Sequence, residues 1–240
     1  MLITLIRTFA STPQLCFVVI MSYLIAIMSA IILHEFAHGM VAYWNGDMTA
    51  KYEKRLTLNP IKHFDIIGFL MMIIVGFGWA KPVPIDPRNF RDYKKGMITV
   101  SLAGVITNFI LAIVGAIILG VFILLTKDVV FVTYNFAFYS YAFFRYLLLY
   151  SVIFNLTLMA FNILPLFPLD GFRVVETLAK PNNRYVDFMY KYGNFVLLGL
   201  LLVSTFLGQF APYLDIFGMY INSIVKLVSI IFSAMGIPIM

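Results

Sequence analysis

Residues 32–40 read ILHEFAHGM and set His34, Glu35 and His38 inside an otherwise apolar run. That run extends from residue 14 to residue 44, between Pro13 and the Asn45-Gly46 pair. As a helix it is about 46 Å long, more than the ~30 Å hydrocarbon core of a bilayer, so it should tilt or protrude. The surrounding composition supports a membrane setting. Of 240 residues, 62% are hydrophobic and 12% charged, whereas soluble domains run to roughly half and a quarter. The fold class read from this is an all-α polytopic membrane protein. The first apolar run lacks an early basic region and a small-residue cleavage site, and is read as a retained span.

One cysteine, Cys16, excludes an internal disulfide and a thiolate cluster. The net charge of +6 comes from Lys and Arg in short loops between apolar runs. That placement points to lipid headgroups and topology, not to nucleic acid.

Working outward, residues 97–126 and 141–164 read as further spans, the latter stopped by Pro165, and 193–209 as another. Residues 216–237 are apolar with Lys226 near the centre, either a span or an interfacial helix. The run 66–80, broken by Gly68, Gly76 and Gly78, gives only ~22 Å of helix and should enter and leave on one side as a re-entrant element. The stretch MTAKYEKRLTLNP partly alternates, which suggests a short membrane-associated β hairpin over 48–62. The expectation is a helical bundle of about four to six spans forming a single domain over 1–240. Its catalytic core covers about 14–180, with accessory helices over 190–240.

His34 and His38 are four residues apart, so on a helix they share one face and can reach one ion. With Glu35 between them they form H-E-x-x-H, the zinc-hydrolase pattern. Neutral imidazole binds zinc, zinc acidifies a coordinated water, and a neighbouring glutamate can accept the proton. The chance expectation of the pattern here is on the order of 5 in 10,000. Ionisable groups at membrane depth are costly and mark function. A catalytic zinc needs a third protein ligand, and His63, Asp65, Asp170, Glu176 and Asp187 are available. Asp170 stands out because Pro165 and Pro168 interrupt the backbone before it and Gly171 permits a turn, letting a carboxylate line a cavity. The same residues also make an ordinary Asp-Gly turn, so composition and spacing leave the third ligand open.

HEFAH in the first span, with N-x-x-P-x-x-x-x-D-G (Asn162, Pro165, Asp170, Gly171) ending a later one, resembles the site-2 protease family of intramembrane zinc metalloproteases. LTLNPIKHFDIIG, GWAKPVPIDPRNF and SLAGVITN resemble its compact bacterial branch, which lacks extra soluble domains. The resemblance runs from about residue 30 to residue 180. It implies that His34, His38 and Asp170 bind one Zn2+ per chain and that Glu35 is the general base. It also implies substrates that are membrane proteins with a transmembrane helix.

Most basic residues fall in 46–63, 81–96 and 171–191, which the positive-inside rule assigns to the cytoplasm. A re-entrant 66–80 then leaves both motifs near the cytoplasmic face of the cell membrane. Asn162 is the expected oxyanion donor. Asn108 is expected to hold the substrate backbone or brace Asn162, beside a packing role between helices that Gly104 lets approach. A substrate helix must unwind to expose a carbonyl, and 51–62 or the re-entrant loop should offer an edge for it. Two other readings stand beside this one: a multi-span metal transporter, and a different membrane zinc peptidase using Glu176 as third ligand. A regulatory partner cannot be read from the residues.

Overall fold

Pro13, whose fixed φ suits a first helical position, opens helix α1 (Pro13–Trp44). The helix closes where Gly46 takes a φ of +109°, and its N–H bonds back to Tyr43 O at 3.1 Å. In this computed structural model, residues 12–74, 78–204 and 215–234 are described. After α1 come two single turns, α2 (Thr49–Tyr52) and α3 (Pro60–His63), and a short helix α4 (Ile66–Ile74). Two long helices follow, α5 (Tyr93–Thr126) and α6 (Phe136–Asn162). The chain then forms α7 (Asp170–Leu178), α8 (Arg184–Leu202) and α9 (Ile216–Ala234). Side chains start several of them. Asp92 Oδ1 accepts from Lys95 N at 2.9 Å, Asn135 Oδ1 from Phe138 N at 3.0 Å and Asn183 Oδ1 from Tyr185 N at 2.9 Å. These bonds satisfy N–H groups that a helix start leaves free.

Helices α1, α5 and α6 are long and apolar enough to cross a membrane. They pack as a three-helix core. Val19, Tyr23, Ala26 and Ala30 of α1 bury against Tyr150 and Phe154 of α6, with Tyr23 edge-on to Phe154 at 4.9 Å. Ala112, Ala116 and Leu119 of α5 bury against Val152 and Leu156. Alanines at these contacts let helix backbones approach closely, as in membrane bundles. The outer face of α5 shows Ile106, Phe109, Ile110, Ile113, Val114 and Ile117. In water such a stripe would be a large apolar patch; against lipid tails it costs nothing. Helix α9 rests on this core through Val225 and through Tyr220 OH, which donates to Ala160 O at 3.2 Å.

Lys81 N donates to His63 O at 2.9 Å, so the chain leaves α3 and returns to the same point. Between these residues α4 is nine residues, or about 14 Å, too short to span. Residues 75–77 of the expected re-entrant element lie outside the described residues. The returning segment lies tight on α4: a Cβ on Gly68 would stand 2.0 Å from Trp79 O.

The expected hairpin over 48–62 is absent; no strand occurs among the described residues. Local capping overrides the alternating pattern. Asp47 captures the Thr49 N–H at 3.0 Å, and Asn59 captures the Ile61 N–H at 3.0 Å with Pro60 at the first position of α3. Both bonds start helical turns where strand pairing would need free N–H groups. Helix α8 also begins earlier than the apolar run from residue 193, because Asn183 caps it at Arg184. Residues 205–209 of that run lie outside the described residues.

Asp47 fastens this half of the chain together. It is 1% exposed. Its carboxylate accepts from Thr49 N, Thr49 Oγ1, Asn89 Nδ2 at 2.9 Å and Asp86 N at 2.8 Å. Burial alone would raise its pKa; the hydrogen bonds outweigh that and hold it below the usual carboxylate range.

Candidate metal centre

His34 and His38 lie one turn apart on α1, and both rings are buried against α5. The approach depends on Gly104: a Cβ there would stand 2.4 Å from His34 Cε1 and 2.5 Å from His38 Nε2. Asp170 arrives from the far end of the sequence as the first residue of α7. Its neighbour Gly171 presses on the end of α6, where a Cβ would meet Ile163 O at 2.2 Å. The loop carrying Pro165 and Pro168 thus folds back and delivers the carboxylate to the histidine pair.

Three atoms converge. His34 Nε2 is 3.0 Å from His38 Nε2, and Asp170 Oδ2 is 3.3 Å from the first and 3.1 Å from the second. The opposite ring nitrogens are already committed. His34 Nδ1 faces Asn108 Oδ1 at 2.5 Å and His38 Nδ1 faces Val100 O at 2.7 Å. Both partners are acceptors, so each Nδ1 carries a proton, and in the neutral imidazoles that bind metal each Nε2 presents a lone pair. Two imidazole lone pairs and a carboxylate oxygen therefore point at one another with no proton between them. Asp170 Oδ2 is buried and accepts no hydrogen bond among the described residues. A cation resolves this clash of acceptors. Ligands about 2.0–2.1 Å from a tetrahedral zinc stand about 3.3 Å apart, close to the spacing seen. His34, His38 and Asp170 also form the group of His, Cys, Asp or Glu among the described residues whose ligand atoms lie within 4.8 Å.

Glu35, half-buried, follows His34 on the same helix, and its Oε2 accepts from Val83 N at 2.9 Å. The segment that supplies this N–H is clamped by a buried arginine. Arg55, 8% exposed, donates from its terminal nitrogen to Lys81 O and Pro82 O, each at 3.0 Å.

The remaining sequence candidates sit elsewhere. Asn108 is fully buried, and its amide is spent on His34, on Asn155 Oδ1 at 2.7 Å and on Ala30 O at 3.3 Å. It braces a histidine, and no hydrogen bond joins it to Asn162 among the described residues. Asn162 ends α6, and its Nδ2 donates to Leu158 O at 3.0 Å. Glu176 accepts from Tyr190 OH and is outside the converging group, so the reading that made it the third ligand is not favoured. His63 is buried on Thr57 O at 2.7 Å, also outside the group. Arg55, Val83 and Asn155 were not singled out from sequence. Asn155 carries a signal that could have found it: an amide in the middle of an apolar span.

The model of peptidase family M50 matches residues 22–203, and the chain belongs to that family. It is 37% identical over 214 residues to "Putative zinc metalloprotease YwhC" of Bacillus subtilis (strain 168), across 89% of this chain and 94% of that protein. No solved structure matches the chain. The protein is an intramembrane zinc metalloprotease of this family, with zinc as its cofactor; the transporter reading is not favoured.

Proposed function

We propose that the chain hydrolyses peptide bonds within or next to transmembrane helices of membrane-protein substrates, at a centre formed by His34, His38, Asp170 and Glu35. The observation that carries this is the convergence of three lone-pair atoms at 3.0–3.3 Å beside a glutamate on the same turn. Zinc held there supplies Lewis acidity toward a carbonyl and acidifies water. Glu35 takes the proton from the attacking water and returns it to the leaving amine. Its carboxylate is oriented by the Val83 N–H, which leaves the other oxygen for the proton. Asn162, in the turn leading to Asp170, is the proposed oxyanion donor.

All four central residues fall within the proposed catalytic core of about 14–180, and the helices beyond it are accessory. The basic loops at 46–63, 81–96 and 171–191 support a cytoplasmic location for the ends of α1 and α6. On that placement His38, seven residues before Asn45, lies about 10 Å along the helix from its cytoplasmic end. Water then enters from the cytoplasm, and a substrate helix must unwind to reach the site. With no strand over 48–62, substrate pairing would fall to the backbone of the return segment near Val83.

The test is Glu35→Gln in cells and in proteoliposomes. Membrane proteins that accumulate uncut in the variant and are cleaved by reconstituted wild type are the substrates. A variant that cleaves as fast as wild type would refute the assignment.

A further inference from the structure

We propose that Asn155 is a positioning residue for the metal centre: acting through Asn108, it holds His34 in the tautomer whose Nε2 lone pair faces His38 and Asp170. The inference rests on the metal-centre reading above.

The chain of contacts crosses all three core helices. Asn155 of α6, 2% exposed, donates from Nδ2 to Ser151 O at 2.8 Å. Its Oδ1 accepts from Asn108 Nδ2 at 2.7 Å. Asn108 of α5 also donates to Ala30 O of α1 at 3.3 Å, and its Oδ1 faces His34 Nδ1 at 2.5 Å. The direction of every bond follows from its ends. Ser151 O and Ala30 O are backbone carbonyls, which only accept. They fix the amide nitrogen of each asparagine, hence the amide oxygen, hence the proton on His34 Nδ1.

His38 needs no such relay, because Val100 O is itself a carbonyl and accepts at 2.7 Å. Asn108 differs from a carbonyl in that it can turn over. Turned, it would aim Nδ2 at His34 Nδ1, move the imidazole proton to Nε2 and remove a ligand lone pair. Asn155 Oδ1 at 2.7 Å is the stronger of the two acceptors that prevent this; Ala30 O at 3.3 Å is long. Within a membrane-spanning core no bulk water is available to take over the role. Groups behind a metal-binding histidine commonly set its affinity by 10–100-fold.

The experiment uses the full chain in detergent. Zinc affinity is measured by chelator competition for wild type, Asn155→Leu, Asn155→Ala and Asn155→Asp. A neutral aspartic acid keeps one acceptor for Asn108 and one donor for Ser151 O. The expected result is at least a tenfold loss of affinity in the leucine and alanine variants, and a value within about threefold of wild type in the aspartate variant. Alanine covers the case in which leucine is not accommodated. In parallel, 15N spectra of metal-stripped protein, with His34 assigned through its loss in His34→Gln, should show the wild-type proton on Nδ1. The Asn155→Ala spectrum should show a mixture. Wild-type affinity in the truncations, or a wild-type His34 protonated at Nε2, would overturn the proposal. Wild type that binds no zinc would overturn the centre itself and is read separately from the variants.

Discussion

His38 Nε2 and Asp170 Oδ2 stand 3.1 Å apart with no hydrogen bond between them. The first comes from the last two turns of α1, the second from the start of α7. With the imidazoles neutral, nothing among the described residues separates the two acceptors, and the His34 ring adds a third. The structure is thus arranged for an ion, and the consequences are open to measurement.

Glu35 is beside the centre but is not one of its converging atoms. Glu35→Gln should therefore keep its zinc and lose about 10²–10⁴-fold in cleavage rate. Paired metal analysis and proteolysis of a reconstituted substrate check this. A variant that loses both together would make Glu35 a ligand instead.

Gly104 has no room for a side chain, since a Cβ would overlap both histidine rings. Gly104→Ala should push α5 from α1, cost about 1–3 kcal/mol of stability and lower zinc content more than its effect on folding. Thermal unfolding with and without added zinc separates the two effects: zinc should rescue wild type more than the variant.

Arg55 clamps the two carbonyls before Val83, whose N–H orients Glu35. Both bonds leave one nitrogen at the tip of the planar guanidinium, which lysine's compact ammonium does not reproduce. Arg55→Lys should reduce kcat with little change in KM and no change in zinc content. An unchanged kcat would show that the 81–83 segment holds itself.

Asp47 titrates below the usual carboxylate range when folded, and near the ordinary aspartate value of 3.8 when unfolded. A depressed folded pKa means the unfolded state binds the proton first, so the stabilisation is complete well above pH 3.8. It disappears as pH falls through the folded pKa. Asp47→Asn should flatten the acid limb of stability below about pH 4 while lowering stability at neutral pH. Unfolding midpoints between pH 3 and 7 test this, and an acid limb identical to wild type would exclude Asp47 as its source.

The long apolar runs and the H-E-x-x-H spacing were legible because hydrophobicity and helical period act locally. Residues 14–44 became α1 almost residue for residue, and Asp170 as the proposed third ligand came from a family resemblance once spacing alone had left the choice open. The turns at Thr49 and Pro60 were not legible, since a two-residue alternation and two capping side chains compete and only the caps have bonds to make. Asn155 and Val83 were hidden for another reason. Their roles depend on helix rotation and on an extended segment returning beside Glu35, and neither is encoded in neighbouring residues.

The central claim is that one Asp and two His, distant in sequence, share one ion. Zinc per chain in purified wild type, Asp170→Ala and Glu176→Ala tests it most directly. The account predicts about one zinc in wild type and Glu176→Ala, and close to none in Asp170→Ala. Wild type without zinc, or Asp170→Ala with full occupancy, would contradict it.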